Sequence, residues 1–209
     1  MVEMITYVKG PIDANNYLLI DKKTNDALLI DCSSPDDEYI KEIKKLGINL
    51  KKILLTHGHF DHILGCNRFF EEFGCDIYVS KEDKAQIEYA PQMTFTLGGI
   101  RIPEVTSVKK EVKEGDKFKI GEIELTAIST PGHTQGGMCY YTNDGKLFSG
   151  DTLFQGSVGR TDFLGGNLED LKHSVKEKLF KLSDDTVVYC GHGPKTTIGY
   201  EKKYNELIG

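Results

Sequence analysis

Between positions 56 and 62 the chain reads Thr56-His57-Gly58-His59-Phe60-Asp61-His62, directly after the apolar run Ile53-Leu54-Leu55. Three of the six histidines and one carboxylate fall within these seven residues. Imidazole and carboxylate are metal ligands, and a strand end holds the backbone still while the loop beyond it turns side chains inward. His57 and His59 are two apart, so in extended chain they point the same way and can take one ion. Asp61 and His62 follow after a turn and can reach a second.

Three more strand-like runs end the same way. Residues 123–128 lead into Thr130-Pro131-Gly132-His133-Thr134, residues 146–149 into Gly150-Asp151, and residues 187–190 into Gly191-His192-Gly193-Pro194. Four strands ending in metal-capable residues form a repetition that chance clustering does not explain. Asp31 closes another apolar run, where its carboxylate either orients a metal-binding histidine from behind or caps the loop. The five cysteines (Cys32, Cys66, Cys75, Cys139 and Cys190) form no CxxC pair and read as reduced, buried thiols, with Cys190 set apart by lying two residues before His192.

The elements that must carry these loops follow from period and punctuation. Residues 4–8, 17–20 and 27–30 are short apolar or β-branched runs, expected as antiparallel strands joined by turns. Ser34 as N-cap, Pro35 at the first helical position and Ile40, Ile43 and Leu46 at helical spacing predict a covering helix that stops at Gly47. A helix is expected over 63–73, a strand over 77–79, and a short helix over 80–90 that stops before Pro91. Residues 91–103 lack a clear period and read as a packed loop, with a mobile wall over a substrate pocket as the other reading. Hairpins are expected across Gly121-Glu122 and Asn143-Asp144-Gly145. A second covering helix is expected over 168–182, with Leu168, Leu171, Val175, Leu179 and Leu182 on one face and His173 solvated on the other. Strand and helix alternate around the first histidine stretch, which predicts an α/β fold.

The bulk numbers narrow the function. A length of 209 residues suits one domain over 1–209, and no repeat or linker divides it. With 39% hydrophobic and 28% charged residues the composition is that of a soluble globular protein. A net charge of -6 argues against a nucleic-acid or anionic-membrane surface. The start Met1-Val2-Glu3-Met4 has no basic region before an apolar core, and no apolar run approaches the ~20 residues of a membrane span, so a cytoplasmic location is expected.

With Thr-His-Gly-His-Phe-Asp-His at 56–62, Pro-Gly-His-Thr at 131–134, Ser-Gly-Asp-Thr-Leu-Phe at 149–154 and Gly-His-Gly-Pro at 191–194, the chain resembles the metallo-β-lactamase superfamily. The resemblance implies a four-layer αβ/βα sandwich with the site along one edge. It also implies that His57, His59 and His133 hold one metal, Asp61, His62 and His192 a second, and that Asp151 bridges them. An aspartate at 151, where many lactam-hydrolysing members carry cysteine, turns the expectation toward thioester hydrolysis. Residues 150–163 are similar to the glyoxalase II group and its hydroxyacylglutathione hydrolase-like relatives, which implies a small thioester substrate whose anionic end Arg160 would hold. Asp162 and Pro194 stand where that group has tyrosines, so the thiol carrier is not specified. Gly-Arg-Thr-Asp-Phe at 159–163 also resembles the mononuclear iron persulfide dioxygenases, the alternative reading; a lactonase or β-lactamase type of hydrolase ranks behind both. Two divalent ions are expected, zinc first, although the same ligands suit iron and manganese. The proposed reaction is attack by a metal-bridging hydroxide, with Asp61 orienting it or shuttling its proton.

Overall fold

The computed structural model describes residues 1–208. Two six-stranded sheets stack face to face. The first contains β1 (Val2–Lys9), β2 (Ala14–Asp21), β3 (Asp26–Ile30), β4 (Asn49–Leu54), β5 (Asp76–Ser80) and β6 (Lys110–Val112) in that order. Its first three strands run antiparallel and its last four parallel. The second contains β7 (Lys117–Ile120), β8 (Ile123–Ser129), β9 (Met138–Thr142), β10 (Lys146–Gly150), β13 (Val187–Cys190) and β14 (Thr196–Thr197), ordered β14-β13-β10-β9-β8-β7. A small ribbon, β11 (Leu153–Phe154) with β12 (Ser157–Val158), follows β10.

Strand alternation explains the layering. In β2, Tyr17 and Leu19 turn toward Phe118, Leu125, Tyr140 and Phe148 of the second sheet, while Leu18 and Ile20 face the opposite way. That outer face packs on helices α1 (Asp37–Lys45), α3 (Cys66–Phe73) and α4 (Lys84–Gly98) through Tyr39, Ile43, Phe69 and Ile87. The far face of the second sheet packs Leu147, Val188 and Cys190 on Val175 of α5 (Leu168–Glu177), Leu179 of the 3-10 turn that follows and Ile198 of α6 (Ile198–Tyr204). Three apolar layers therefore separate four layers of secondary structure, the αβ/βα sandwich that the motifs imply. Among the described residues no helix is long and apolar enough to cross a membrane.

Several elements depart from expectation for local reasons. The first covering helix begins at Asp37 with Asp36 at its N-cap; Ser34 instead accepts the Asp36 N–H in the approach to it. The helix expected over 63–73 is two, α2 (Phe60–Ile63) and α3, separated at Leu64-Gly65. The stop before Pro91 is wrong, because α4 continues through that proline to Gly98. Pro91 removes one N–H from the ladder, and Thr94 donates its hydroxyl to the carbonyls of Ala90 (3.0 Å) and Pro91 (3.1 Å) in the turn that follows. The packed loop is therefore confined to the stretch after Gly99. The helix expected over 168–182 tightens into a 3-10 turn at Leu179–Lys181, and Leu168 is exposed.

Candidate metal centre

The loops after β4, β8, β10 and β13 meet on one edge of the sandwich. The His57 Nε2 and His133 Nε2 atoms lie 3.3 Å apart, and His59 Nδ1 lies 2.9 Å from the same His133 atom. A second group follows: His62 Nε2 is 3.3 Å from Asp61 Oδ2 and 3.2 Å from His192 Nε2, which is itself 3.1 Å from Asp61 Oδ2. Asp151 sits between the groups, with Oδ1 at 3.4 Å from His62 Nε2 and Oδ2 at 3.7 Å from both His133 Nε2 and His192 Nε2. Atoms bound tetrahedrally at 2.0–2.1 Å from one ion lie about 3.3 Å from each other. All seven residues named from the sequence thus converge at one edge, in groups whose ligand atoms are close enough to share a metal ion.

Proton placement supports the same fit. His133 Nδ1 faces the Arg160 carbonyl at 2.8 Å and His62 Nδ1 faces Asp31 Oδ2 at 2.8 Å. These oxygens only accept, so each Nδ1 carries a hydrogen and each Nε2 is the atom turned inward toward the group. Thr56 Oγ1 donates to Asp31 Oδ2 (2.8 Å) and accepts from His57 Nδ1 (3.0 Å). One buried carboxylate therefore orients a histidine of each group, directly for His62 and through Thr56 for His57. Asp151 Oδ1 is buried without a hydrogen-bond partner, as suits an oxygen kept for a cation. A Cβ on Gly191 would overlap that oxygen, so the approach of β13 to Asp151 requires glycine there.

Burial, then the neighbouring His62, holds His57 well below the ordinary histidine range, and burial with His133 pushes His59 down to about 3. Both are neutral at pH 7 with lone pairs free. For His62 burial works the other way, but Asp31, Asp61 and Asp151 outweigh it and raise its pKa well above the ordinary value. That proton competes with a metal. Affinity at the Asp61–His62–His192 group is expected to rise about tenfold per pH unit below the His62 pKa. Calorimetry in two buffers of different ionisation heat would register the released proton; pH-independent affinity between pH 6 and 8 would contradict it.

The other nominated residues divide. His173 is exposed on α5, outside the centre. Cys190 is fully buried with its thiol pushed up to about 12 by burial, and does not join the ligands. Arg160 lines the pocket over the metal groups, but its guanidinium forms two 2.7 Å bonds to Asp162 and stacks 3.7 Å over the Phe163 ring. The pair is solvent-exposed, so it contributes little stability and a ligand carboxylate can displace Asp162.

Three positioning residues escaped the sequence reading. Asp83, at the N-cap of α4, is completely buried and accepts from Gly58 N–H (2.8 Å), Thr134 Oγ1 (2.8 Å) and Gly136 N–H (2.7 Å). It clips the His57–His59 loop to the His133 loop. Asn15 donates through Nδ2 to the Cys190 and Gly193 carbonyls, both at 2.9 Å, and Tyr17 donates to the Cys190 carbonyl at 2.6 Å, tying the His192 loop to the first sheet. A carboxylate just past a strand end nominated Asp31, and the same signal was present at Asp83 beyond β5. Asp83→Ala is expected to weaken metal binding at the His57–His59–His133 group about 10- to 100-fold while sparing the other group. Stepwise chelator competition resolves the two; equal loss at both would show general loosening instead.

A family model described as the metallo-beta-lactamase superfamily matches residues 10–192. The chain belongs to the metallo-β-lactamase superfamily. Within that superfamily it is 37% identical over 196 residues to the hydroxyacylglutathione hydrolase GloC of Haemophilus influenzae, covering 93% of this chain and 92% of that protein. The BLEG-1 B3 metallo-beta-lactamase crystal structure superposes with a TM-score of 0.89 at 33% identity, over 100% of this chain and 99% of that one. TTHA1623, solved in a di-iron-bound form, superposes with a TM-score of 0.85 at 31% identity, over 97% and 98%.

Proposed function

We propose that the protein is a dinuclear metal-dependent hydrolase that cleaves small S-acyl thioesters to a carboxylic acid and a thiol. The observation that carries this reading is the Asp151 carboxylate lying between two groups of three metal-capable side chains. His57, His59 and His133 would hold one ion, Asp61, His62 and His192 the other, with Asp151 shared. Ions held by these residues would supply hydroxide near neutral pH and positive charge for a developing oxyanion.

The protein's own groups do the rest. Burial works against ionisation of Asp61, but His62 and His192 outweigh it and keep the carboxyl below the usual carboxylate range. It stays ionised and orients the attacking water by accepting a hydrogen bond from it. The pocket, about 310 Å³, is walled by Ile12, Phe60, Met93, Phe154 and Phe163, which exclude bulk water from the thioester. Arg160, released from Asp162, would hold an anionic end of the substrate through its planar fork. The likeness to a hydroxyacylglutathione hydrolase supports the thioester, and the di-iron relative leaves iron beside zinc as the metal.

A second reading, a one-iron persulfide dioxygenase, draws support from the Gly159-Arg160-Thr161-Asp162-Phe163 run and the Arg160–Asp162 pairing. Metal analysis by mass spectrometry on protein purified without added metal, run beside thioester, persulfide and lactam assays, separates the readings. Two equivalents of metal and thioester cleavage without dioxygen uptake are expected. One iron with dioxygen consumed by a persulfide, or lactam cleavage alone, would overturn the thioesterase.

A further inference from the structure

Beside the metal pocket lies a second cavity of about 260 Å³, formed by Pro11, Phe60, Leu64, Gly98, Ile100 and Ile102, with Thr94 as its remaining wall. Thr94 is the single polar side chain among them, and its hydroxyl is already committed to the Ala90 and Pro91 carbonyls. Nothing in the lining offers a side-chain hydrogen bond, so a polar occupant would lose its hydration without compensation and an apolar one would gain. The cavity adjoins the metal pocket. Phe60 lines both, and the consecutive pairs Pro11-Ile12 and Met93-Thr94 each give one residue to either side. Phe60 stands between His59 and Asp61 in the chain, so the wall shared by the two cavities is flanked by two of the metal-capable side chains.

We infer that this cavity is an acyl-chain groove, and that the preferred substrates are thioesters with an unbranched aliphatic acyl group of several carbons. The inference rests on the thioesterase reading. It extends that reading by dividing the substrate into two arms: the chain runs past Phe60 between α4 and the β1–β2 turn, and the thiol moiety lies on the Arg160–Phe163 side. The volume suits a single hydrocarbon chain. Ile100 in the cavity lining and Ile12 in the adjoining metal pocket are each more than half exposed, apolar surface that a bound chain would cover.

Gly98 provides a blocking variant. It ends α4 without a left-handed backbone, and a Cβ there would meet only Ile100, at 3.7 Å. Gly98→Leu therefore fits the helix and fills the groove without touching a metal ligand. With N-acetylcysteamine thioesters from acetyl to octanoyl, kcat/KM of the metal-loaded protein is expected to rise about fourfold per methylene that enters the groove. In G98L the octanoyl-to-acetyl ratio is expected to fall toward one. A flat chain-length series in the wild type, or equal loss on both substrates in G98L, would overturn the groove.

Calorimetric binding of the uncleavable thioethers S-octyl- and S-methyl-N-acetylcysteamine separates failure of the groove from failure of the chemistry. Tighter octyl binding that G98L abolishes supports the groove even if no thioester is cleaved. Thioester cleavage with equal binding of the two thioethers would keep the hydrolase and remove the groove. A dimer that G98L converts to monomer would assign the cavity to a second copy of the chain and also overturn the proposal.

Discussion

Asp151→Ala is expected to retain at most one tightly bound ion per chain and to lower kcat/KM for a thioester by about a thousandfold. Asp151 lies within 4 Å of ligand nitrogens from both groups, through His62, His133 and His192. Removing it takes away the shared anion while leaving six ligands in place. The same carboxylate is held below the usual range, since His62 and His133 outweigh the burial that would raise it, so the wild-type anion is available at all physiological pH values. Asp151→Asn, which keeps the volume, separates charge from shape. It should lose the second equivalent as the alanine variant does. Two equivalents retained in either variant, with activity within tenfold of wild type, would remove the bridging role.

The second large effect is expected from a residue that touches no metal. Asp31→Asn is expected to weaken both ions by about 10- to 100-fold. Asp31 occupies a left-handed backbone position (φ 59°), which asparagine accepts readily, so the loop geometry survives the exchange. An amide keeps one acceptor oxygen but sets hydrogens at the other position, either against the Thr56 N–H or against His62 Nδ1 and the Thr56 hydroxyl. The second arrangement is the one that disturbs the metal groups. Facing such a donor, His62 would move its hydrogen from Nδ1 to Nε2, the atom that must be bare toward the ion. The Thr56 hydroxyl, deprived of its acceptor, would turn and loosen His57 in the other group. Chelator competition reads the two affinities separately. Loss at the His62 group alone would disprove the relay through Thr56, and no loss at either would reduce Asp31 to a loop cap.

How far the fold can be read from the chain depends on how local the cause is. The β1–β2–β3 hairpins and the apolar face of α1 follow from alternation, helical period and Gly47, all within a few residues. The convergence of the seven metal-capable side chains was legible because each lies just past an apolar run, where a sheet edge collects side chains from distant positions. Pro91 misled because a proline within a helix is excluded by local rules, whereas here tertiary packing of Ile87, Ala90 and Met93 outweighs one missing hydrogen bond. Asp83, Asn15 and Tyr17 were missed because their partners, mostly main-chain groups, lie 25 to 178 residues away, and no spacing in the chain records such a bond. Arg160 was legible as a cation near the site, but its pairing with Asp162 and its stacking on Phe163 depend on a loop conformation that the sequence does not spell out.

The central claim is a pair of ions held among these seven side chains. Anomalous diffraction from crystals of the protein purified without added metal, collected above and below the zinc and iron edges, tests it directly. Two anomalous peaks about 3.5–4 Å apart are expected, one among His57, His59 and His133 and the other among Asp61, His62 and His192, with Asp151 reaching both. A single peak, or peaks outside this group of residues, would contradict it.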